Sequence, residues 1–423
     1  MKNSAMINPG SKLILSVLYL GWIVSYIDRT VVSLALSKIG DDMSLSAGML
    51  GIVLSAFFMG YAFMQIPGGW LADKYGSRRV IIVAVICWSI FTAFTGLAWS
   101  LASLLLVRFL FGVGEGGYPA ASTKAISDYF PAAQRTKAQT TMMSSNALGA
   151  VMAPIICTPL LVAAGWRHTF LIVSCLGLVV VACFVLATRR AKTISSDLDS
   201  KPSKGNYKEL LSNSLVWKVV LIFFFSNIAG WGLSSWMPTY LINELGIDLK
   251  SAGYLVAIPG IISVMGMLIS GRIMDRIGTK VKYVVVCCTF VFAIFLYLVS
   301  VSSTITEVIV YQSIATFCAS FTSSFIFTLP HRYMKEKVVG TAFGMINFGG
   351  QAAGILSPMI MGFLISASGG SYTSAFMFLT VSCVLAALTT LTLPSKKQMA
   401  AIASSKLNDE VSNSNTPPLH VSH

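Results

Sequence analysis

The sequence predicts an all-α membrane protein with twelve transmembrane helices, arranged as two pseudo-symmetric six-helix bundles. Three observations carry that prediction. Only 11% of the 423 residues are charged and 55% are hydrophobic. Soluble domains carry about 25% charged residues, and a soluble chain of this composition would expose far too much apolar surface. Apolar runs of about 20 residues, the length a helix needs to cross the hydrocarbon core, recur along the chain. A segment near residue 70 returns in weakened form about two hundred residues later.

The runs fall at 13–36, 49–71, 79–98, 102–124, 138–162 and 168–188, then at 216–242, 252–273, 281–300, 305–329, 338–366 and 372–393. The first continues to full spanning length with no small-residue cleavage pattern, so it reads as a retained helix and not a signal peptide. Residues 1–188 form the N-terminal bundle and 216–394 the C-terminal bundle. Between them, 189–215 is polar, basic and Ser-rich, which suits a cytoplasmic linker. After Pro394 the composition turns polar and Ser/Asn-rich, and 395–423 reads as a disordered cytoplasmic tail.

Charge placement orients the chain. The odd-numbered loops hold Lys38, Arg167 and Lys250. The even-numbered loops hold Lys74, Arg78 and Arg79, then Arg135 and Lys137, then Arg272, Arg276, Lys280 and Lys282, then Arg332, Lys335 and Lys337. Basic loops stay in the cytoplasm, so both termini are expected there. The net charge of +14 is spread over these short loops and not along one basic face, which argues against a nucleic-acid partner. The eight cysteines lie in apolar runs without a CxxC pair and read as packed or lipid-facing thiols.

The internal repeat pairs Gly69-Trp70-Leu71-Ala72-Asp73-Lys74-Tyr75-Gly76 with Gly271-Arg272-Ile273-Met274-Asp275-Arg276-Ile277-Gly278, each ending the second helix of its half. Pro154 and Pro358 occupy similar places in later helices. Pro119, Pro154, Pro259 and Pro358 are expected to bend their helices.

The stretch Gly69 to Gly76, continued by Ser77-Arg78-Arg79, matches the loop signature of the major facilitator superfamily. Three further places narrow the likeness: Tyr26-Ile27-Asp28-Arg29, Tyr61, and Arg108-Phe109-Leu110-Phe111-Gly112-Val113-Gly114-Glu115-Gly116 followed by Tyr118-Pro119-Ala120. Together they resemble the anion:cation symporter family, which includes bacterial galactonate and hexuronate carriers and animal sialic-acid and glutamate carriers. The resemblance implies proton-driven uptake of a carboxylate, with coupling roles on Asp28, Arg29, Arg108 and Glu115. It also implies a substrate-facing amide in the fifth helix, where Asn146 stands in place of the more usual Gln, and a gating role for Asp73, Arg78 and Arg79.

The residues support that reading independently. Asp28, Arg29, Arg108 and Glu115 are the charges that fall well inside apolar runs. Each costs at least about 2.5 kcal/mol at the bilayer centre, so intramembrane ionisable groups are functional by default. Arg108 and Glu115, seven residues apart, share a helix face about 10 Å apart along the axis. Asp28 and Arg29 point about 100° apart. One arrangement pairs Asp28 with Arg108 and Glu115 with Arg29; the spacing leaves other pairings open, as it does a purely structural clamp between helices one and four. In the functional reading Asp28 and Glu115 carry protons, Arg29 binds the anion and Arg108 relays charge. Protonating Glu115 frees Arg29 for a substrate carboxylate, so proton and anion binding favour each other.

Tyr26, Tyr61, Asn146, Asn227, Asn347 and Gln351 are polar side chains in apolar segments, suited to substrate hydroxyls or to bridging helices. The partners expected are therefore a small organic anion such as a hexonate or hexuronate, protons and the lipid bilayer. The protein is expected to act as a monomer, with the proton gradient in place of a cofactor. Organophosphate–phosphate exchange is the rival reading, but the seventh helix lacks the basic residues a phosphate invites. Drug efflux and a non-transporting sensor rank below it. No Walker motif, nucleophile–base pair or metal-ligand cluster points to an ATPase or an enzyme.

Overall fold

A computed structural model of the protein describes residues 9–190, 213–277, 281–333 and 336–394. The expected tail, nearly all of the expected linker, and the loop residues Lys280 and Lys335 lie outside the described residues. The described elements are all helical: α1 (Pro9–Met43), α2 (Ala47–Tyr75), α3 (Ser77–Gly96), α4 (Leu101–Gly116), α5 (Tyr118–Tyr129) and α6 (Ala132–Arg190) in the first half. In the second are α7 (Ser214–Asn243), α8 (Leu249–Leu255), α9 (Ala257–Ile277), α10 (Val281–Val301), α11 (Ile305–Tyr333), α12 (Glu336–Ala367) and α13 (Thr373–Leu391).

Thirteen elements make twelve crossings. A straight α6 of 59 residues would run about 89 Å, three times the hydrocarbon core. It breaks at Gly165, where φ of 74° favours a residue without Cβ, and so supplies the fifth and sixth spans. Two other spans are each built from two helices. Gly117 separates α4 from α5, and Val256 separates α8 from α9. Pro119 and Pro259 stand in the first turns of α5 and α9, so they open new helical segments and do not bend continuous ones, because a proline needs no N–H partner there. Pro154 and Pro358 do lie inside α6 and α12.

The helices pack closely where glycines permit. A Cβ on Gly60 would run into the Phe109 carbonyl, and one on Gly112 into the Phe57 carbonyl. Thus α2 and α4 meet backbone to backbone, the packing expected of small residues in membranes.

The two bundles touch along a seam between α2 and α12. Gly48 N–H donates to the Ser366 hydroxyl at 2.8 Å, and the Ser55 hydroxyl donates to the Ile355 carbonyl at 2.6 Å. A Cβ on Gly51 would lie 2.6 Å from the Pro358 carbonyl, and Phe58 rests on Gly354. On the same side, Ser37 of α1 donates to Asn243 of α7 at 2.9 Å. The seam ends at Phe58. Farther along the two helices Ile66 of α2 is 86% exposed and Phe348 of α12 66%. The bundles therefore meet at the Ser37 end and part toward the Asp73 end, leaving a cleft between them.

Candidate functional site

At the depth where the seam ends, α1 and α4 bring four charges into the N-terminal bundle, packed against side chains of α2 and α3. Asp28, Arg108 and Glu115 are at most 2% exposed, whereas the Arg29 side chain is 10% exposed. Arg29 is therefore the one of the four that reaches the edge of the packed core.

Arg29 presents Nε and Nη2 to a single oxygen, Glu115 Oε1, each at 2.7 Å; Nε makes the hydrogen bond and Nη2 approaches off its N–H axis. The hydroxyl of Ser25, one turn earlier on α1, donates to the same oxygen. The guanidinium carbon of Arg29 lies 4.6 Å from the Tyr61 ring centre, 5.1 Å from that of Phe57 and 5.3 Å from that of Tyr26. Cation–π contact of this kind stabilises a desolvated guanidinium. Arg108 is held in the same way, 4.7 Å from Phe111 and 5.3 Å from Phe57. Phe57 thus faces both guanidiniums and lets two like charges share one core.

The geometry selects one of the two pairings and rejects the other. Glu115 pairs with Arg29, but Asp28 and Arg108 form no ion pair. Asp28 faces α3, where its Oδ1 accepts from the Thr92 hydroxyl at 3.2 Å, and Arg108 is drawn over aromatic faces instead. Asp28 Oδ2, Arg108 Nε and Glu115 Oε2 are buried without a hydrogen-bond partner, a costly arrangement that makes this cluster the candidate site.

Tyr26 and Tyr61 sit beside Arg29 as part of this site. Gly149 of α6 packs against Tyr26, 2.7 Å from a would-be Cβ, and places Asn146, half-buried with Oδ1 unpartnered, one turn away. Across the cleft, Gln351 is half-buried and Asn347 exposed on the α12 stripe that continues past Gly354. Asn227 donates to its own helix at the Phe223 carbonyl. Trp231 of α7 packs edge-on against Phe58 at 4.8 Å, at the point where the seam ends.

Asp73, Arg78 and Arg79 lie far from this cluster. Asp73 pairs with Lys124 of α5 at 3.2 Å, and Ser77 donates to Asp128. These bonds tie α2 and α3 to α5 within one bundle. Arg78 and Arg79 are exposed and make no ion pair among the described residues.

Sequence reasoning missed Ser25, Thr92, Phe57, Phe111 and Trp231. Ser25 carried a usable signal, its spacing of one turn from Arg29 on the same face. Thr92 carried none, since a lone threonine in an apolar run is ordinary.

Comparison with known proteins places this arrangement. The sequence profile of the Major Facilitator Superfamily matches residues 18–358 and 280–413. The chain is 31% identical over 386 residues to a probable sulfoacetate transporter of Cupriavidus necator, covering 86% of this chain and 89% of that one. It is 28% identical over 388 residues to a hexuronate transporter of Bacillus subtilis, covering 88% and 92%. It is 27% identical over 411 residues to a probable galactarate/D-glucarate transporter of Escherichia coli, again covering 88% and 92%. Among solved structures, a bacterial homologue of the human lysosomal transporter Spinster, inward-facing and occupied, superposes with a TM-score of 0.78 at 22% identity, covering 91% and 97%. A D-xylose–proton symporter superposes with a TM-score of 0.74 at 16% identity, covering 91% and 98%. These last two are similar in fold.

Proposed function

The chain belongs to the major facilitator superfamily, and we propose that within it this protein is a proton-coupled importer of a small organic anion, a sugar acid or a related carboxylate. The observation that carries the reading is the Arg29–Glu115 pair at the edge of the core. Of the four buried charges among the described residues, Arg29 is the one an anion entering the cleft can reach, and an internal carboxylate already occupies it. The curated relatives carry sulfoacetate, hexuronate and galactarate or glucarate by name, all small anions, which supports the substrate class.

The mechanism follows from competition for one guanidinium. With Glu115 ionised, Arg29 is neutralised and an anion gains little by docking. Protonation of Glu115 removes that rival and leaves Arg29 to a substrate carboxylate, which it can grip with two parallel N–H bonds. By reciprocity the bound anion favours the protonated acid, so the two ligands arrive together. Asp28 is the second acid, and Arg108 the fixed charge between the two. Tyr26, Tyr61 and Asn146 on one wall, with Asn347 and Gln351 on the other, supply groups for substrate hydroxyls.

The basic residues Lys74, Arg78, Arg79, Arg135 and Lys137 cluster where the bundles part, which puts that end in the cytoplasm. The described state is then open to the cytoplasm, and the α2–α12 seam is the closed outer gate. In this state a cytoplasmic latch through Asp73, Arg78 and Arg79 would be released.

The test is an uptake screen in proteoliposomes under an inward proton gradient, using hexonates, hexuronates, aldarates and short sulfonated carboxylates. Concentrative uptake of one of these that collapses with the gradient is the expected result. Uptake indifferent to the gradient would sink the coupling half of the proposal.

A further inference from the structure

The two acids share a pattern that their roles do not require. Each has one oxygen held by a neutral hydroxyl from a neighbouring position and one oxygen left alone. At Glu115, the Ser25 hydroxyl and both Arg29 nitrogens converge on Oε1, while Oε2 is buried and unpartnered. At Asp28, the Thr92 hydroxyl from α3 holds Oδ1 at 3.2 Å, while Oδ2 is buried and unpartnered. All these groups sit in sealed positions: Ser25 is 0% exposed and Thr92 2%.

We propose that Ser25 and Thr92 are positioning residues of the proton sites, holding one oxygen of each acid and leaving Glu115 Oε2 and Asp28 Oδ2 as the atoms that take the proton. A proton on Oε1 would collide with the donors already aimed at it, whereas one on Oε2 leaves them in place. Each hydroxyl thereby fixes which oxygen of its acid stays free for the proton. Ser25 has a second consequence. It stays on Oε1 when Arg29 leaves, so Glu115 keeps its orientation while the guanidinium swings to an anion.

Other groups face the same acids. Around Glu115 stand Asp28, Arg29 and Tyr26 from α1, Arg108 on its own helix and Tyr118 from α5. Around Asp28 stand Glu115 and Arg108 from α4 and Cys157 from α6. The charged members set the overall balance for both acids. Ser25 and Thr92 differ in that each acts on one acid alone, and that selectivity makes them separable by experiment.

The inference rests on the coupling reading for its meaning but can be measured without transport. Infrared difference spectra of the purified full-length protein, titrated with acid in the absence of substrate, report the carbonyl stretch of each protonated carboxyl. The bands are assigned by their loss in Asp28→Asn and Glu115→Gln. Thr92→Val is expected to shift the Asp28 midpoint by about one to two pH units and leave that of Glu115 nearly in place; Ser25→Ala is expected to do the converse. Thr92→Ser and Ser25→Thr, which keep the hydroxyl, are expected to restore wild-type midpoints, an outcome that a packing defect would not produce. Thr92→Ala removes the same hydroxyl and carries the same expectation should the valine variant not fold. Unchanged midpoints in the hydroxyl-deleted variants would overturn the inference. Shifted midpoints together with gradient-independent uptake would uphold it and discard the coupling reading instead.

Discussion

The two bundles solve the problem of buried polarity in opposite ways. The N-terminal bundle buries Asp28, Arg108 and Glu115 and half-buries Arg29, with several polar atoms left unpartnered. Among the described residues of the C-terminal bundle, the buried polar side chains are uncharged; some join across helices, and Thr239 and Gln312 each leave an oxygen unpartnered. Thr289 meets Thr322 at 2.8 Å, Ser270 meets Ser324 at 2.7 Å, and Ser320 donates to the Ser263 carbonyl at 3.0 Å. Hydroxyl pairs bridge helices at modest cost and change nothing when protons come and go. Charges in the same surroundings are expensive, and replacing such a pair by apolar groups is often no loss. On the proposed function, this contrast assigns the switch to the N-terminal bundle and leaves the C-terminal bundle as the wall against which it works.

That contrast can be broken or sharpened at several points. The largest effect is expected from Arg29→Ala, which leaves Glu115 buried opposite no cation. Breaking a buried pair costs about 3–5 kcal/mol, read as a lower thermal midpoint, together with loss of anion binding by calorimetry. Adding Glu115→Gln should recover much of the stability but none of the binding. If the single variant keeps its affinity, the anion docks elsewhere and Arg108 becomes the candidate.

Glu115→Gln by itself keeps shape and removes the titration. Accumulation under a proton gradient should fall about 5–150-fold, the range of ordinary coupling energies, while gradient-free exchange persists. Undiminished accumulation would move coupling to Asp28. In the C-terminal bundle, Thr289→Val should cost about 1 kcal/mol of stability, the scale of one neutral hydrogen bond, and leave the pH profile of uptake unmoved. A shifted profile there would end the division of labour between the bundles. The smallest effect is expected at the closed end. Asp42 accepts from Trp166 at 2.7 Å and from Arg167 at 2.9 Å, but both ion-pair partners are more than 40% exposed. Asp42→Asn should change thermal stability by less than about 1 kcal/mol, and a larger loss would show that this corner helps to hold the outer gate.

Much of this was legible beforehand because it is written in local patterns. Spanning runs depend on hydropathy over one stretch of chain, so their number and rough limits could be read off, including the two that meet at Gly165. Asp28, Arg29, Arg108 and Glu115 stood out because charge is rare in such runs. The split of two spans at Gly117 and Val256 was not legible, since the apolar pattern continues through both breaks. The glycines of α4 announced close packing, but not that Gly112 would meet the Phe57 backbone and thereby bring that ring between two arginines.

By itself the sequence determined that four charges lie inside the membrane domain, that they sit on the first and fourth spans, and that Arg108 and Glu115 share a face. Only the tertiary structure decided that Glu115 takes Arg29, that Asp28 turns to Thr92 and that Arg108 settles over aromatic rings. The reason is geometric. Positions along one helix follow from its rise and turn, whereas pairing across helices depends on how far each is rotated about its axis, and that is set by the packing of every neighbour at once.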